Sequence, residues 1–289
     1  MPWHCGTQCT ARLSIMAIPV HKYCQLTNGL KLHYQEAGTG KQTVVFIHGS
    51  GPGASGYSNF KHNYPWLASK GYRCIVPDLP GYGLSDKPVD REYVLDFFVE
   101  SLHGFLGVLD VGPVVLIGNS LGGAIAMKYT LDHPDSVTQL VLMATGGIEE
   151  RETYFRMEGI QRMVKDFAGG VLDREGMRGL MSLLVHDTKH ITEELLDERV
   201  PVVQTQPKEV LSTMRVPNLE GRLPEIKVPI LGYWGTDDRF CPASGANKIL
   251  AGCPNVEFVL VNRCGHWVMV EHAAMFNNTT LDFLQRNAA

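Results

Sequence analysis

Short apolar runs recur along the chain and alternate with longer stretches in which apolar residues return with the 3.6-residue period of a helix. A continuous apolar run is typical of a strand that is buried on both faces, as strands in parallel sheets are. Strands that alternate with helices indicate the α/β class, a mostly parallel sheet covered by helices on both sides. The pattern predicts strands at 30–34, 43–47, 74–76, 114–117, 140–143, 228–233 and 256–261, and helices at 93–109, 121–131, 243–250 and 272–285.

The alternation stops in one long segment that has amphipathic helical patterns and no convincing strand. Thr192 followed by two glutamates is a typical helix start there, because the hydroxyl accepts an orphan N–H and the acids suit the positive end of the helix. We predict one domain with an insertion. Its parts are a poorly ordered leader at 1–25, an α/β core at 26–145 and 229–289, and a helical insertion at 146–228 with helices at 157–167, 174–184 and 193–203.

Composition excludes several classes of protein and partner. With 44% hydrophobic and 19% charged residues, the chain is neither disordered nor fibrous. A net charge of −4 offers no electrostatic footprint for nucleic acid or for an anionic membrane surface, and no run of about 18 apolar residues occurs. Seven scattered cysteines indicate a reducing cytoplasm rather than a disulfide scaffold. His4, Cys5 and Cys9 lack a second pair of ligands, so no metal site is expected, and the predicted partner is a small molecule.

The most informative motif is Gly-Asn-Ser-Leu-Gly at residues 118–122, between a predicted buried strand and a predicted helix. In this G-x-S-x-G context the turn is so sharp that a Cβ on a flanking residue would collide with neighbouring elements. The turn exposes the hydroxyl of Ser120, which makes it a candidate nucleophile. The alternative is a glycine-rich turn in which the serine only caps the helix.

A serine nucleophile needs a histidine base and a carboxylate that orients it, and in this architecture they follow in the order Ser, acid, His. Asp237 and Asp238 follow one predicted strand, and His266 follows the last one. Residues at the carboxyl ends of parallel strands face the crevice where ligands bind. Either aspartate could instead form a structural turn or pair with Arg239, and the residues alone do not separate them.

An oxyanion hole requires two backbone donors. Leu121, the residue after the serine, supplies the first, and the glycine-rich segment His-Gly-Ser-Gly-Pro-Gly at 48–53 supplies the second at Ser50. The alternative for this segment is a phosphate-binding loop. That alternative is disfavoured because no Lys-Ser or Lys-Thr pair follows and the spacing is not G-x-G-x-x-G.

From about residue 30 to the C-terminus, these residues resemble the α/β-hydrolase fold, and within it the chain is similar to the meta-cleavage product hydrolases, carbon–carbon bond hydrolases of bacterial aromatic degradation. The family pattern G-x-x-D-x-x-x-P selects Asp238 over Asp237. The general resemblance is carried by residues 48–49, 78–86, 118–122, Asp238 and His266, and the narrower one by residues 50–54, Asn59, Asn119, Asp187, Arg199, 237–240 and 264–267.

The resemblance implies substrates of the 2-hydroxy-6-oxohexa-2,4-dienoate type, with a carboxylate and an enol at one end and a ketone bearing a variable group at the other. It implies that Arg199 pairs with the carboxylate or enolate. Without the resemblance, a surface arginine of a helix that also carries Glu194 and Asp197 would be the preferred interpretation. It implies further substrate contacts for Gly49, Gly51, Asn59, Asn119 and Trp267, although a turn asparagine commonly satisfies its own backbone and a tryptophan commonly packs in the core.

The implied reaction is cofactor-independent. The dienol is first ketonised, Ser120 then attacks the 6-oxo carbon with His266 as base and Asp238 as its partner, and the amides of Ser50 and Leu121 bind the oxyanion. The products are 2-hydroxypenta-2,4-dienoate and, after hydrolysis of an acyl-enzyme, a carboxylic acid. An esterase or lactonase with the same triad is the nearest alternative, and a ligand receptor on this scaffold is the second.

The insertion is expected to be a lid that selects the group on the ketone. In this chain the stretch from Arg199 to Trp234 is short, and His186 stands where the family more often has an aromatic or apolar residue, so the substituent is left open. The oligomeric state is left open too, with a homo-oligomer as one alternative.

Overall fold

The computed structural model describes residues 20–168 and 172–288, and its framework is an eight-stranded sheet. The strand order is β1-β2-β4-β3-β5-β6-β7-β8, in which β2 pairs antiparallel with β1 and β4 while the other pairs are parallel. The strands are β1 Val20–Gln25, β2 Lys31–Ala37, β3 Thr43–Ile47, β4 Arg73–Pro77, β5 Val114–Asn119, β6 Val137–Met143, β7 Ile230–Gly235 and β8 Val256–Val261.

The predicted alternation of strands and helices is confirmed. In chain order the α-helices are α1 Gly56–Phe60, α2 Tyr64–Ala68, α3 Leu95–Val108, α4 Leu121–Asp132, α5 Arg151–Phe155, α6 Glu158–Ala168, α7 Arg174–Met181, α8 Glu193–Gln204, α9 Glu209–Ser212, α10 Ser244–Gly252, α11 Val268–Glu271 and α12 Ala273–Arg286. The long ones agree with the sequence periods within a few residues, whereas no sequence pattern predicted the short helices α1, α2, α5, α9 and α11. A helix of four or five residues is too short to show a hydrophobic period.

The core lies on both faces of the central strands. Every residue of β3, β5 and β7 is buried, as their continuous apolar runs require, and two clusters of apolar side chains pack on the two faces. The edge strand β8 is only partly buried. Because β3, β5 and β7 run in the same direction, the loops after them meet at one rim of the sheet.

The prediction of a leader at 1–25 is wrong for its last six residues. Residues 20–25 form the edge strand β1, which pairs with β2 in a register that places Val20 opposite Glu36. This strand was missed because it is largely exposed and polar, so that only Cys24 is buried and no apolar run marks it. Residues 1–19, with His4, Cys5 and Cys9, lie outside the described part of the chain.

The segment 146–228 contains helices α5 to α9 between strands β6 and β7. Its predicted helix start is confirmed, since the Thr192 hydroxyl accepts a hydrogen bond from the Leu195 amide at 3.2 Å. None of the helices in residues 20–168 and 172–288 combines the length and the apolar character needed to cross a bilayer.

Candidate active site

Ser120 stands between the end of β5 and the start of α4 in a strained conformation, with φ 57° and ψ −117°. A positive φ is uncommon for a residue with a Cβ, and it makes the sharp turn predicted from the motif. The neighbouring glycines are required, because a Cβ on Gly122 would lie 2.0 Å from the carbonyl oxygen of Ile47. Within the described residues the Ser120 side chain makes no capping hydrogen bond, so the alternative of a simple helix cap is wrong.

His266 and Asp238, which follow β8 and β7, form a buried pair. His266 Nδ1 lies 2.8 Å from Asp238 Oδ2, and Asp238 Oδ1 accepts hydrogen bonds from the Phe240 and Cys241 amides at 2.7 and 2.9 Å. Because a carboxylate only accepts, this contact keeps the proton on Nδ1 and leaves Nε2 as an acceptor. That is the state a general base must have.

Asp237 points away from this pair. Its Oδ2 lies 2.6 Å from His186 Nδ1, a contact between the loop after β7 and the helical insertion, and its side chain is 41% exposed. Arg239 was the other possible partner of these aspartates, but its guanidinium lies 3.9 Å from the Glu158 carboxylate. The structure therefore separates two neighbouring carboxylates that the residues alone left open, and it places Asp238 against His266.

The loop after β3 lies against Ser120. A Cβ on Gly49 would be 3.1 Å from the Ser120 Cβ. Leu121 is the first residue of α4, so its amide has no partner within the helix, and neither it nor the Ser50 amide donates to another described residue. These are the two predicted oxyanion donors.

His48 holds this loop in place. Its Nδ1 lies 2.8 Å from the Gly49 carbonyl oxygen, and its Nε2 accepts a hydrogen bond from the Leu79 amide at 3.0 Å. Burial lowers the pKa of His48 to about 4, so the ring is neutral at pH 7. A neutral ring donates at one nitrogen and accepts at the other, as both contacts require.

This burial predicts a loss of stability in acid. In the unfolded chain His48 titrates near 6.5 but in the folded protein near 4, so below pH 6.5 the unfolded state binds a proton that the folded state does not. The free energy of unfolding therefore decreases as the pH falls from 6.5 to 4, by on the order of 3 kcal/mol from this residue.

Urea unfolding at pH 7 and pH 5 measures this loss. We expect it to be smaller in His48→Gln than in the wild type, while His103→Gln, a change of an exposed histidine, keeps the wild-type difference. An undiminished loss in His48→Gln would contradict the assignment.

Arg199 is buried, and the interpretation as a surface arginine is wrong. Helix α8 carries it against the loop after β3, where its guanidinium donates to Asn59 Oδ1 at 2.7 Å and to the Pro52 carbonyl oxygen at 3.2 Å and lies 4.8 Å from the Trp267 ring. Burial lowers its pKa to about 9, which leaves it protonated at pH 7. Among the described residues no carboxylate forms an ion pair with it, and its Nε has no partner.

Most of the predicted site residues line one cleft. Asp238 stands behind His266, and Leu121 would contribute its amide. Asp187 is not part of this group, since its exposed side chain accepts a hydrogen bond from the Lys189 amide. The predicted residues on the lining are Gly49, Ser50, Gly51, Asn59, Asn119, Ser120, Arg199, His266 and Trp267.

Comparison with known proteins identifies the family of this chain. Residues 44–279 match the model of the alpha/beta hydrolase family. The chain is 37% identical to the 2-hydroxy-6-oxononadienedioate/2-hydroxy-6-oxononatrienedioate hydrolase of Paraburkholderia phymatum over 275 residues, 91% of this chain and 95% of that one. It is 36% identical to the 2-hydroxy-6-oxo-6-phenylhexa-2,4-dienoate hydrolase of Burkholderia cepacia over 266 residues, covering 89% and 92%.

Among solved structures, the meta-cleavage product hydrolase of Pseudomonas fluorescens IP01 superposes with a TM-score of 0.82 at 27% identity, covering 92% of this chain and 97% of that one. The chain belongs to the alpha/beta hydrolases and, within them, to the meta-cleavage product hydrolases. The resemblance read from the sequence motifs is thereby confirmed.

No sequence pattern predicted the apolar wall of this hydrolase's cleft. Ile160 and Met163 of α6, Leu184 after α7 and Phe240 after β7 also line it. The Phe240 ring lies 5.3 Å from the His266 ring, centroid to centroid. The only signal for Phe240 was its place in the Asp-Arg-Phe motif. The lid residues had none, because an amphipathic pattern does not show which cavity a buried face covers.

Cys241 is a further missed neighbour of the hydrolase's serine. Burial and the Asp238 charge raise the pKa of this thiol well above its usual range, and a hydrogen bond with the Ser120 side chain acts in the opposite direction. Within the described residues no hydrogen bond joins Ser120 Oγ to His266 Nε2. In hydrolases of this kind such contacts often tighten only when substrate is bound.

Proposed function

We propose that this hydrolase cleaves the C5–C6 bond of a 2-hydroxy-6-oxohexa-2,4-dienoate. The observation that carries the proposal is Arg199, a buried cation on the wall of the serine's cleft with no carboxylate partner among the described residues. A buried charge is costly unless it is paired. An anionic group of the substrate is the partner that this arginine lacks.

The residues around Arg199 suit the carboxylate and enol end of a dienoate. Asn59 Oδ1 is engaged by Arg199, which leaves the amide NH₂ of Asn59 for a substrate oxygen. Trp267 lies under the guanidinium and also lines the cleft, where its ring suits a flat conjugated chain. Asn119 has a positioning role, since its Nδ2 donates to the His266 carbonyl oxygen at 3.4 Å.

The proposed reaction begins with ketonisation, which moves the proton of the 2-hydroxyl group to C5. The resulting C2 ketone is conjugated with the C3–C4 double bond and can accept the electron pair of the C5–C6 bond. Ser120 then attacks C6, His266 Nε2 takes the hydroxyl proton, and Asp238 stabilises the imidazolium. The Ser50 and Leu121 amides stabilise the oxyanion, and loss of one such donor typically costs about 10² to 10³ in kcat.

Collapse of the tetrahedral intermediate breaks the C5–C6 bond and releases 2-hydroxypenta-2,4-dienoate. It leaves an acyl group on Ser120, which a water molecule activated by His266 hydrolyses to a carboxylic acid. Every proton moves between groups of the site and water. The chemistry therefore requires no metal or organic cofactor.

The test compares kcat/KM for a dienoate with that for p-nitrophenyl acetate. The dienolate is yellow, and cleavage removes the colour. We expect multiple turnovers and a preference for the dienoate. A preference for the ester would favour the esterase alternative, and binding without turnover would favour the receptor.

Arg199→Gln tests the anion-binding role. We expect kcat/KM for the dienoate to fall by about 10² to 10³, because a charge-assisted fork to the carboxylate is lost. Hydrolysis of p-nitrophenyl acetate, which has no carboxylate, should change less than about threefold. Arg174→Gln, a change of an exposed arginine on α7, is the matched control and should leave both rates unchanged. Equal losses on both substrates in Arg199→Gln would contradict the assignment.

We also propose that the insertion is the lid. Ile160, Met163, Leu184 and Arg199 all come from it and line the cleft, which supports this role. The cytoplasmic location and a homo-oligomeric state stay predictions.

A further inference from the structure

The cleft has two chemically different ends. At one end Arg199 contacts both Asn59 and Trp267 at the proposed site of the C1 carboxylate. At the other end α6 packs on Phe240, so closely that a Cβ on Gly159 would lie 2.5 Å from the Phe240 ring. The Phe240 ring in turn lies against His266, so this second end is adjacent to the catalytic pair.

The second end is apolar. Ile160 and Met163 of α6 line the cleft here together with Phe240, and Leu184 is a further apolar residue of the lining. In the described part of the chain no Lys or Arg other than Arg199 lines the cleft. The substituent on the ketone carbon must therefore rest against apolar side chains.

The charged residues near this end are engaged elsewhere. Arg162 of α6 pairs with Asp166 at 2.5 Å, and Arg239 lies 3.9 Å from Glu158. All four side chains are at least partly exposed. His186 lies outside the lining, where its ring contacts Asp237. None of these groups is available as a partner for a buried anion in the cleft.

We propose that the group on the ketone carbon of the substrate is an uncharged alkyl or aryl group and not a carboxyalkyl group; this rests on the proposed function. The relative from Paraburkholderia phymatum is named for dicarboxylic substrates, whereas that from Burkholderia cepacia is named for a phenyl-bearing one. Arg199, the one Lys or Arg among the described residues that line the cleft, serves the C1 carboxylate. A second carboxylate would be buried among apolar side chains without a partner, which is strongly unfavourable.

The test is a matched pair of substrates that have the same number of carbon atoms. 2-Hydroxy-6-oxonona-2,4-dienoate carries a propyl group where 2-hydroxy-6-oxonona-2,4-dienedioate carries a carboxyethyl group. We expect kcat/KM of the wild type to be about 10²-fold higher for the propyl compound, because an unpaired buried carboxylate is rejected. Equal or faster turnover of the dicarboxylate would overturn this inference and leave the proposed function standing. Turnover of neither compound would overturn the proposed function as well.

A charge placed in the apolar wall should reverse the preference. Met163→Arg supplies a cation at the second end, and we expect the ratio of dicarboxylate to propyl turnover to rise at least about tenfold. Val164→Arg adds the same charge on α6 at a position that is 45% exposed and off the lining, and it should keep the wild-type ratio. An unchanged ratio in a folded Met163→Arg protein would count against the apolar wall. The wild-type comparison stands without this variant if Met163→Arg does not fold.

Discussion

Ser120→Ala lowers kcat for the dienoate by about 10⁴ to 10⁶, the largest effect expected for any single change. Removing the hydroxyl removes the covalent step, so any remaining rate acceleration comes from substrate binding and from the oxyanion donors. The fold should tolerate the change, because the strained backbone at φ 57° is held by the contacts around Gly122 and not by the hydroxyl.

The measurement is kcat by loss of the dienolate colour together with release of the carboxylic acid product. Ser69→Ala, a change of an exposed serine after α2, is the matched control and should retain wild-type turnover. A Ser120→Ala protein that forms the acid at the wild-type rate would overturn the nucleophilic role of Ser120.

The second large effect is expected from Asp238→Asn, a loss of about 10³ to 10⁴ in kcat. The amide oxygen can still accept hydrogen bonds from the Phe240 and Cys241 amides, as Asp238 Oδ1 does. The amide nitrogen, however, would donate to His266 Nδ1, in place of the carboxylate that now accepts at 2.8 Å. The proton of the imidazole would then sit on Nε2, which could no longer take the serine proton.

Asp237→Asn is the control for this change, because it makes the same substitution one residue away. Asp237 faces His186 and solvent, so kcat should stay within about threefold of the wild type. If Asp237→Asn caused the larger loss, the assignment of the two aspartates would be reversed. Equal Tm values for the two variants would show that the difference lies in catalysis and not in folding.

Local patterns predicted the elements that are long and strongly periodic. The apolar run of β3 and the 3.6-residue period of α12 are visible in a single window, because burial of a strand or of one helix face is recorded in consecutive residues. The edge strand β1 and the short helix α1, which carries Asn59, show no such hydrophobic pattern in consecutive residues. They exist because neighbouring elements pair with them or hold them, as Asp78 Oδ1 does by accepting from the Gly56 amide at 2.8 Å.

The class of fold, the turn at Ser120 and the order in which an acid and His266 follow it can all be read from the sequence. The turn is encoded in neighbouring residues, and the class and the order follow from local patterns taken in succession along the chain. Three features appear only in the folded chain. Asp238 faces His266 while Asp237 faces the insertion, Arg199 is buried with no anionic partner among the described residues, and Met163 and Phe240 line the same cleft as Arg199. These features belong to pairs of side chains that lie on different elements. The order and direction of the strands bring those elements to one rim of the sheet, and no local pattern records which side chains then meet.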